Sequence, residues 1–178
     1  MAHAQRTRQA GGDPAGAQPD YAVRRLEPGD AGELLRFYRA LPGWIVHWYD
    51  PFPQPNEQRL AEHLRAAANG EAISYGLCGL DGAVHGHSFI LGTRAEQPVF
   101  GIGLAEHAIG RGHGRRLMET VISEADALCM PLVTLTVFKD NDRARLLYER
   151  FGFTITGEAS CRSPGDSHAM RRTGPRRP

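Results

Sequence analysis

No stretch of this chain is apolar for long enough to span a bilayer. Its first residues lack the hydrophobic block that opens a secretion signal, so a cytoplasmic location is expected. No charge sign dominates: 21 Lys and Arg stand against 20 Asp and Glu, a net +1. That balance gives no overall pull toward nucleic acid or a membrane surface, and neither is expected as a partner. Cysteine is scarce, and Cys78, Cys129 and Cys161 lie far apart. Three thiols cannot close a complete disulfide set, have no metal-ligand spacing, and suit a reducing compartment. Internal repeats are absent.

What the chain does have is a glycine-rich turn feeding an amphipathic helix. Gly110, Arg111, Gly112, His113 and Gly114 are followed by Arg115, Arg116, Leu117 and Met118. Alternate glycines let a backbone pass close to a bulky group. The helix behind them aims its free N–H groups into the turn. Arg111, Arg115 and Arg116 crowd the end that the macrodipole already makes positive, an arrangement that an anion relieves. The pattern points to a phosphate-bearing ligand held by backbone amides. A Walker loop is excluded, because Arg115 and Arg116 stand where Lys and Ser or Thr are needed. A dinucleotide fingerprint fails in both registers, with Arg115 or Leu117 in place of the third glycine.

A second motif runs from Asn141 to Phe153. Asn141 is a good helix N-cap, Ala144, Leu147, Tyr148 and Phe151 share one face, and Gly152 ends the helix. A β-branched segment, Leu132 to Val137, precedes it. Ile109 to Met118, this segment and Asn141 to Phe153 together resemble the GNAT superfamily of acyl-CoA-dependent N-acyltransferases. Gly112 and Gly114 match its loop pattern, Ile109 stands where the family has Gln or Arg, and Asn141, Ala144, Leu147, Tyr148, Gly152 and Phe153 match its second signature. The resemblance extends more weakly over roughly residues 21 to 172, a usual single-domain length.

Elements read along the chain agree with that order. A strand at Tyr21–Leu26 leads through Pro28-Gly29-Asp30 to a helix ending near Leu41, with Asp30 and Glu33 spaced as a capping box. The segment Pro42 to Pro55 reads as a loop. Asn56 caps a second helix ending at Asn69-Gly70, and Ala72–Cys78 and Ala83–Leu91 form a hairpin across Asp81-Gly82. Val99–Ala105 is a glycine-bearing strand. In the next helix Leu117, Met118, Val121, Ile122, Ala125 and Leu128 form one apolar stripe. Phe153–Ser160 and Ser167–Arg172 close the set. The expected class is α/β (α+β): a single mixed, mostly antiparallel sheet flanked by helices in the order β-α-α-β-β-β-α-β-α-β-β. Residues 1–20 read as a disordered tail and 173–178 as a basic tail around a domain at 21–172.

The resemblance implies acetyl-CoA as co-substrate, no metal, and direct attack by a primary amine of a small molecule or of a protein or peptide in a ternary complex. A homodimer is compatible with it. Leu104 and Ala105 would face the pantetheine arm, and an N–H near Leu104 would polarise the thioester carbonyl. Ile109, Gly110, Arg111, Gly112, His113, Gly114 and Arg115 would surround the pyrophosphate, and Asn141 would contact the CoA arm. Tyr148 would be the acid toward the thiolate, and Glu106 the first candidate for the base, with His107 and His113 behind it. Trp44, His47, Trp48 and Tyr49, with Phe52, offer an aromatic wall for an apolar body or a cationic amine, or cover for the core. His85 and His87 share a strand face at the spacing of a metal pair, without a third ligand in view. The competing reading is a GNAT-fold module that binds acyl-CoA as a sensor or docking domain and transfers nothing.

Overall fold

The computed structural model describes residues 21–175; the expected tail at 1–20 and residues 176–178 lie outside the described residues. Seven strands form one sheet in the spatial order β1-β2-β3-β4-β5-β7-β6. They are β1 (Ala22–Arg25), β2 (Ala72–Cys78), β3 (Val84–Leu91), β4 (Val99–Leu104), β5 (Leu132–Phe138), β6 (Thr154–Ala159) and β7 (Ser167–Thr173). The helices are α1 (Ala31–Ala40), α2 (Gly43–Trp48), α3 (Glu57–Ala68), α4 (His113–Ala127) and α5 (Asp142–Arg150). All strand pairs are antiparallel except β4 with β5. β7 carries the sheet to Thr173, one residue past the expected border of the domain.

The sheet separates two cores. One face packs under α1 and α3 through Leu34, Leu60, Leu64 and Phe89. The other packs under α4 and α5 through Met118, Val121, Ile122 and Phe153. The α4 stripe read from helical periodicity supplies the second set of contacts, as burial of one helix face requires. The α4 stripe ends earlier than its spacing implies: Leu128 is 52% exposed, because it sits at the C-cap, where the chain turns away.

Three further local expectations are corrected. The capping box at the start of α1 does not form, since the Asp30 carboxylate serves other donors. It accepts from Glu27 N–H at 2.8 Å and from both terminal nitrogens of Arg24 at 2.7 and 2.8 Å. The Pro42–Pro55 segment is not all loop, because its first part folds as α2 with Ile45 buried. Pro42 sits at its N-cap, where a missing N–H costs nothing. Phe52 leaves the expected aromatic wall for the core, packing against His63 and Phe89. The Asn56 and Asn141 caps do form, their Oδ1 atoms accepting from Arg59 N–H at 3.0 Å and Ala144 N–H at 3.1 Å.

Candidate active site

The site begins where the sheet fails to close. β4 and β5 pair only at Val99 and Thr134, with Thr134 N–H donating to Pro98 O at 2.8 Å. Beyond that point the strands diverge. On its other edge β4 is fully paired with β3, and Ala105 N–H donates to His85 O at 2.8 Å. Backbone groups alternate sides along an antiparallel strand. Since Ala105 points at β3, Ile102 and Leu104 direct their N–H and C=O groups into the gap. The gap opens into a cleft of about 1690 Å³.

At one end the cleft meets the glycine turn and the start of α4. Gly112 is the N-cap at φ 82°, a left-handed geometry that only glycine adopts without strain. The first intrahelical bond runs from Arg116 N–H to Gly112 O at 3.2 Å, which leaves the N–H groups of the first turn to serve a ligand. Ile109, Gly110, Gly112, Gly114 and Arg115 all line the cleft. Sequence reading missed Arg143, whose guanidinium leans over Gly110 from the first turn of α5. A basic side chain two residues past a cap that faces a glycine turn was the available signal. Free amides, a left-handed glycine and an added guanidinium fit a pyrophosphate. Open backbone on Ile102 and Leu104 fits an amide-bearing arm.

Tyr148 lines the cleft from α5, and Asn141 lines it as well. Burial holds the Tyr148 phenol well above its ordinary pKa, so it is protonated near neutral pH. Among the described residues its hydroxyl has no hydrogen-bond partner. The opposite wall comes from α2. Trp44 and Trp48 are 45% and 37% exposed there, packed edge to face at 5.9 Å. Trp48 Nε1 donates to Asp140 Oδ1 at 3.0 Å, His47 Nε2 stands 3.7 Å from Asp140 Oδ2, and the His47 ring stacks on Phe138. These contacts tie α2 to the end of β5. Tyr49 lies over Gly103 of β4, where any side chain would run into its ring. Burial raises the Tyr49 phenol strongly; its hydrogen bond with Tyr38 offsets a small part of that, and the neighbouring Tyr148 adds slightly to it.

Several expected site residues are not brought here. Glu106 is exposed in a single 3-10 turn (Glu106–Ala108) outside the lining of the cleft, and Ala105 spends its N–H on β3. Arg111 is exposed beyond the lining. The His113 side chain, expected beside the pyrophosphate, is buried instead against the Tyr21 ring at 5.0 Å. Burial, then Arg116 and Arg111, lower its pKa. Only its backbone N–H, at the start of α4, is free to face a ligand. His107 pairs with His85 at 3.1 Å away from the cleft, and His87 points into the core. No cluster of three metal-binding side chains occurs among the described residues.

The acetyltransferase (GNAT) family model matches residues 30–153. A 5-NmdU N-acetyltransferase of Pseudomonas phage PaMx11 is 38% identical over 64 residues, which are 36% of this chain and 44% of the phage protein. The aligned part thus spans less than half the length of that relative. An acetyltransferase of the GNAT family from Streptococcus pneumoniae superposes with a TM-score of 0.72 at 22% identity, covering 88% of this chain and all of its own. The PaiA N-acetyltransferase of Thermoplasma acidophilum, solved in complex with coenzyme A, superposes with a TM-score of 0.72 at 14% identity over 86% of this chain and 99% of its own.

Proposed function

The chain belongs to the acetyltransferase (GNAT) family, and we propose that it is an N-acetyltransferase moving an acetyl group from acetyl-CoA to a primary amine of a small molecule or of a protein or peptide. The observation that carries this reading is the splay between β4 and β5, with open backbone on Ile102 and Leu104, a buried phenol on α5 and free amides at the start of α4.

In this reading the α4 amides, Arg115 and Arg143 hold the pyrophosphate, and Asn141 borders the arm. Leu104 N–H polarises the thioester carbonyl, as an oxyanion donor does. The amine attacks directly in a ternary complex, so much of the rate comes from holding both substrates side by side. Tyr148 then gives its proton to the departing thiolate. The acceptor enters along α2, where Trp44 and Trp48 share the lining of the cleft with Asp140 and Asp50, a set suited to a cationic amine. Residues 21–172 act as one domain. The cysteines, free among the described residues, fit the cytoplasm, and no helix there is long and apolar enough to cross a membrane.

The test is titration with CoA in a calorimeter, then thiol release from acetyl-CoA over a panel of polyamines, amino acids and peptides. Micromolar affinity and turnover on one amine class support the reading, and no affinity for any acyl-CoA would remove its basis. A second reading, an acyl-CoA sensor without transfer, is favoured by one observation: Glu106, the expected base, stands outside the cleft. Tight binding with no turnover on any amine selects it.

A further inference from the structure

The cleft lacks the carboxylate base that the sequence offered, yet one wall of it opens onto a chain of buried polar side chains. Tyr49 Oη lies 2.9 Å from Tyr38 Oη of α1. Tyr38 Oη lies 2.7 Å from His87 Nδ1 of β3. His87 Nε2 lies 2.8 Å from Ser74 Oγ of β2, which lies 3.2 Å from His63 Nε2 of α3. Five side chains from five segments thus form one hydrogen-bonded line running from the cleft into the core. His87 and Ser74 are fully buried, and His63 nearly so. Such a network is costly unless every member is satisfied. An apolar core would be the cheaper way to seat α1 and α3 on the sheet.

We infer that Tyr49, Tyr38 and His87 form the proton acceptor for the attacking amine, with Tyr49 as the catalytic contact and Tyr38 and His87 acting through it. The inference rests on the acetyltransferase reading. As the amine lone pair forms the C–N bond, the nitrogen becomes positive. One N–H bond then breaks, its electrons stay on nitrogen, and its proton passes to Tyr49 Oη. Tyr49 passes its own proton to Tyr38, and Tyr38 passes its own to His87 Nδ1. When the C–S bond breaks, the thiolate takes the Tyr148 proton. The two shifts within the line then reverse, and the proton that Tyr49 took from the amine passes through solvent in the emptied cleft to the Tyr148 phenolate. The sum is amine plus thioester giving amide plus thiol, with no proton left over.

Two proton orders satisfy the line. In the first, Tyr49 donates to Tyr38, Tyr38 to His87 Nδ1, His87 Nε2–H to Ser74, and Ser74 to His63. In the second every donor is reversed, and Tyr49 donates to His87 O at 3.4 Å. Only the first leaves Nδ1 free to accept, and only there does Ser74 steady the transient imidazolium. The titratable groups around His87 are Tyr38 from α1, Tyr49 after α2 and His63 from α3, with the Asp50 charge acting on Tyr38. Burial lowers His87 well below the ordinary histidine value, so the imidazolium is short-lived and gives its proton back.

The decisive variant is Tyr38→Phe, which keeps the ring packed against Phe37 and Phe52, removes one hydroxyl and leaves the lining of the cleft intact. Acetyl-CoA affinity and the KM of the best panel amine are expected within about twofold of wild type. The value of kcat should fall by about 10² near pH 7, the usual worth of a positioned acid or base. The deficit should narrow as pH rises, where solvent takes the proton unaided. Nitrogen-15 NMR of the wild-type chain should find His87 neutral with the proton on Nε2. Unchanged kcat, an equal deficit at every pH, or a proton on His87 Nδ1 overturns the relay while leaving the acetyltransferase reading in place. Acetyl-CoA binding without turnover in the wild type overturns that reading, and the relay with it. The NMR measurement needs no variant, so it decides between the two proton orders even where a Tyr38→Phe chain fails to fold.

Discussion

Single side chains divide sharply into those that announce their place and those that do not. Asn141 and Gly112 were legible because their work is local: a cap or a left-handed turn is set by the residues beside it. Tyr148 was legible through its motif and its helical face. Glu106 misled because strand-end position does not say which way a turn leaves the sheet; the 3-10 turn carries it outward. Arg143 carried a signal only through its spacing from the Asn141 cap, and the Tyr38–His87 pairing was illegible because its partners lie on different segments. Tyr148→Phe tests the residue that the motif selected. It should lower kcat by about 10² or more, the range of general acid–base effects. CoA affinity by calorimetry should hold, since the ring remains. An unchanged kcat would count against the acid role.

Among the elements, helices with long apolar stripes were read to within a few residues, and α2 was not read at all. Six residues carry too few periods to show a stripe, and prolines on both sides imitate a loop. The place of β7 between β5 and β6 was equally hidden, since strand order depends on pairing and not on sequence neighbours. The short helix is held largely from outside. Trp48 bonds to Asp140, and Arg162 donates to Val46 O at 3.0 Å. Asp140→Ala should therefore loosen one wall of the cleft and leave the other alone. The expected result is a KM for the amine raised several-fold with CoA affinity unchanged, checked by steady-state kinetics beside calorimetry.

For the whole molecule, the buried histidines set how stability responds to acid. Burial lowers His63 from 6.5 to about 4 and lowers His87 as well. The unfolded chain takes up protons at these side chains near pH 6.5 while the folded chain refuses them. Stability is therefore full above about pH 6.5 and is lost as pH falls toward 4. A shift of that size at His63 corresponds to about 3 kcal/mol. Asp30, held below the usual carboxylate range chiefly by Arg24, contributes only at still lower pH. The melting temperature should thus fall between pH 6.5 and 4 in the wild type. It should fall less steeply in His63→Gln, and a parallel fall in both would place the acid sensitivity elsewhere.

A sheet joined at one rung behaves as two leaves sewn by a single stitch. β1 to β4 form the larger leaf and β5 to β7 the smaller, with Val99 and Thr134 as the stitch. In the proposed complex, an amide-bearing chain laid in the seam would replace the missing rungs and stand in for an eighth strand. The guest then completes the host's own backbone pairing, and occupancy is registered as rigidity. Deuterium exchange at the amides of Ile102 and Leu104 should slow markedly when CoA is added, while that at Gly101 and Gly103, already turned toward β3, should barely change.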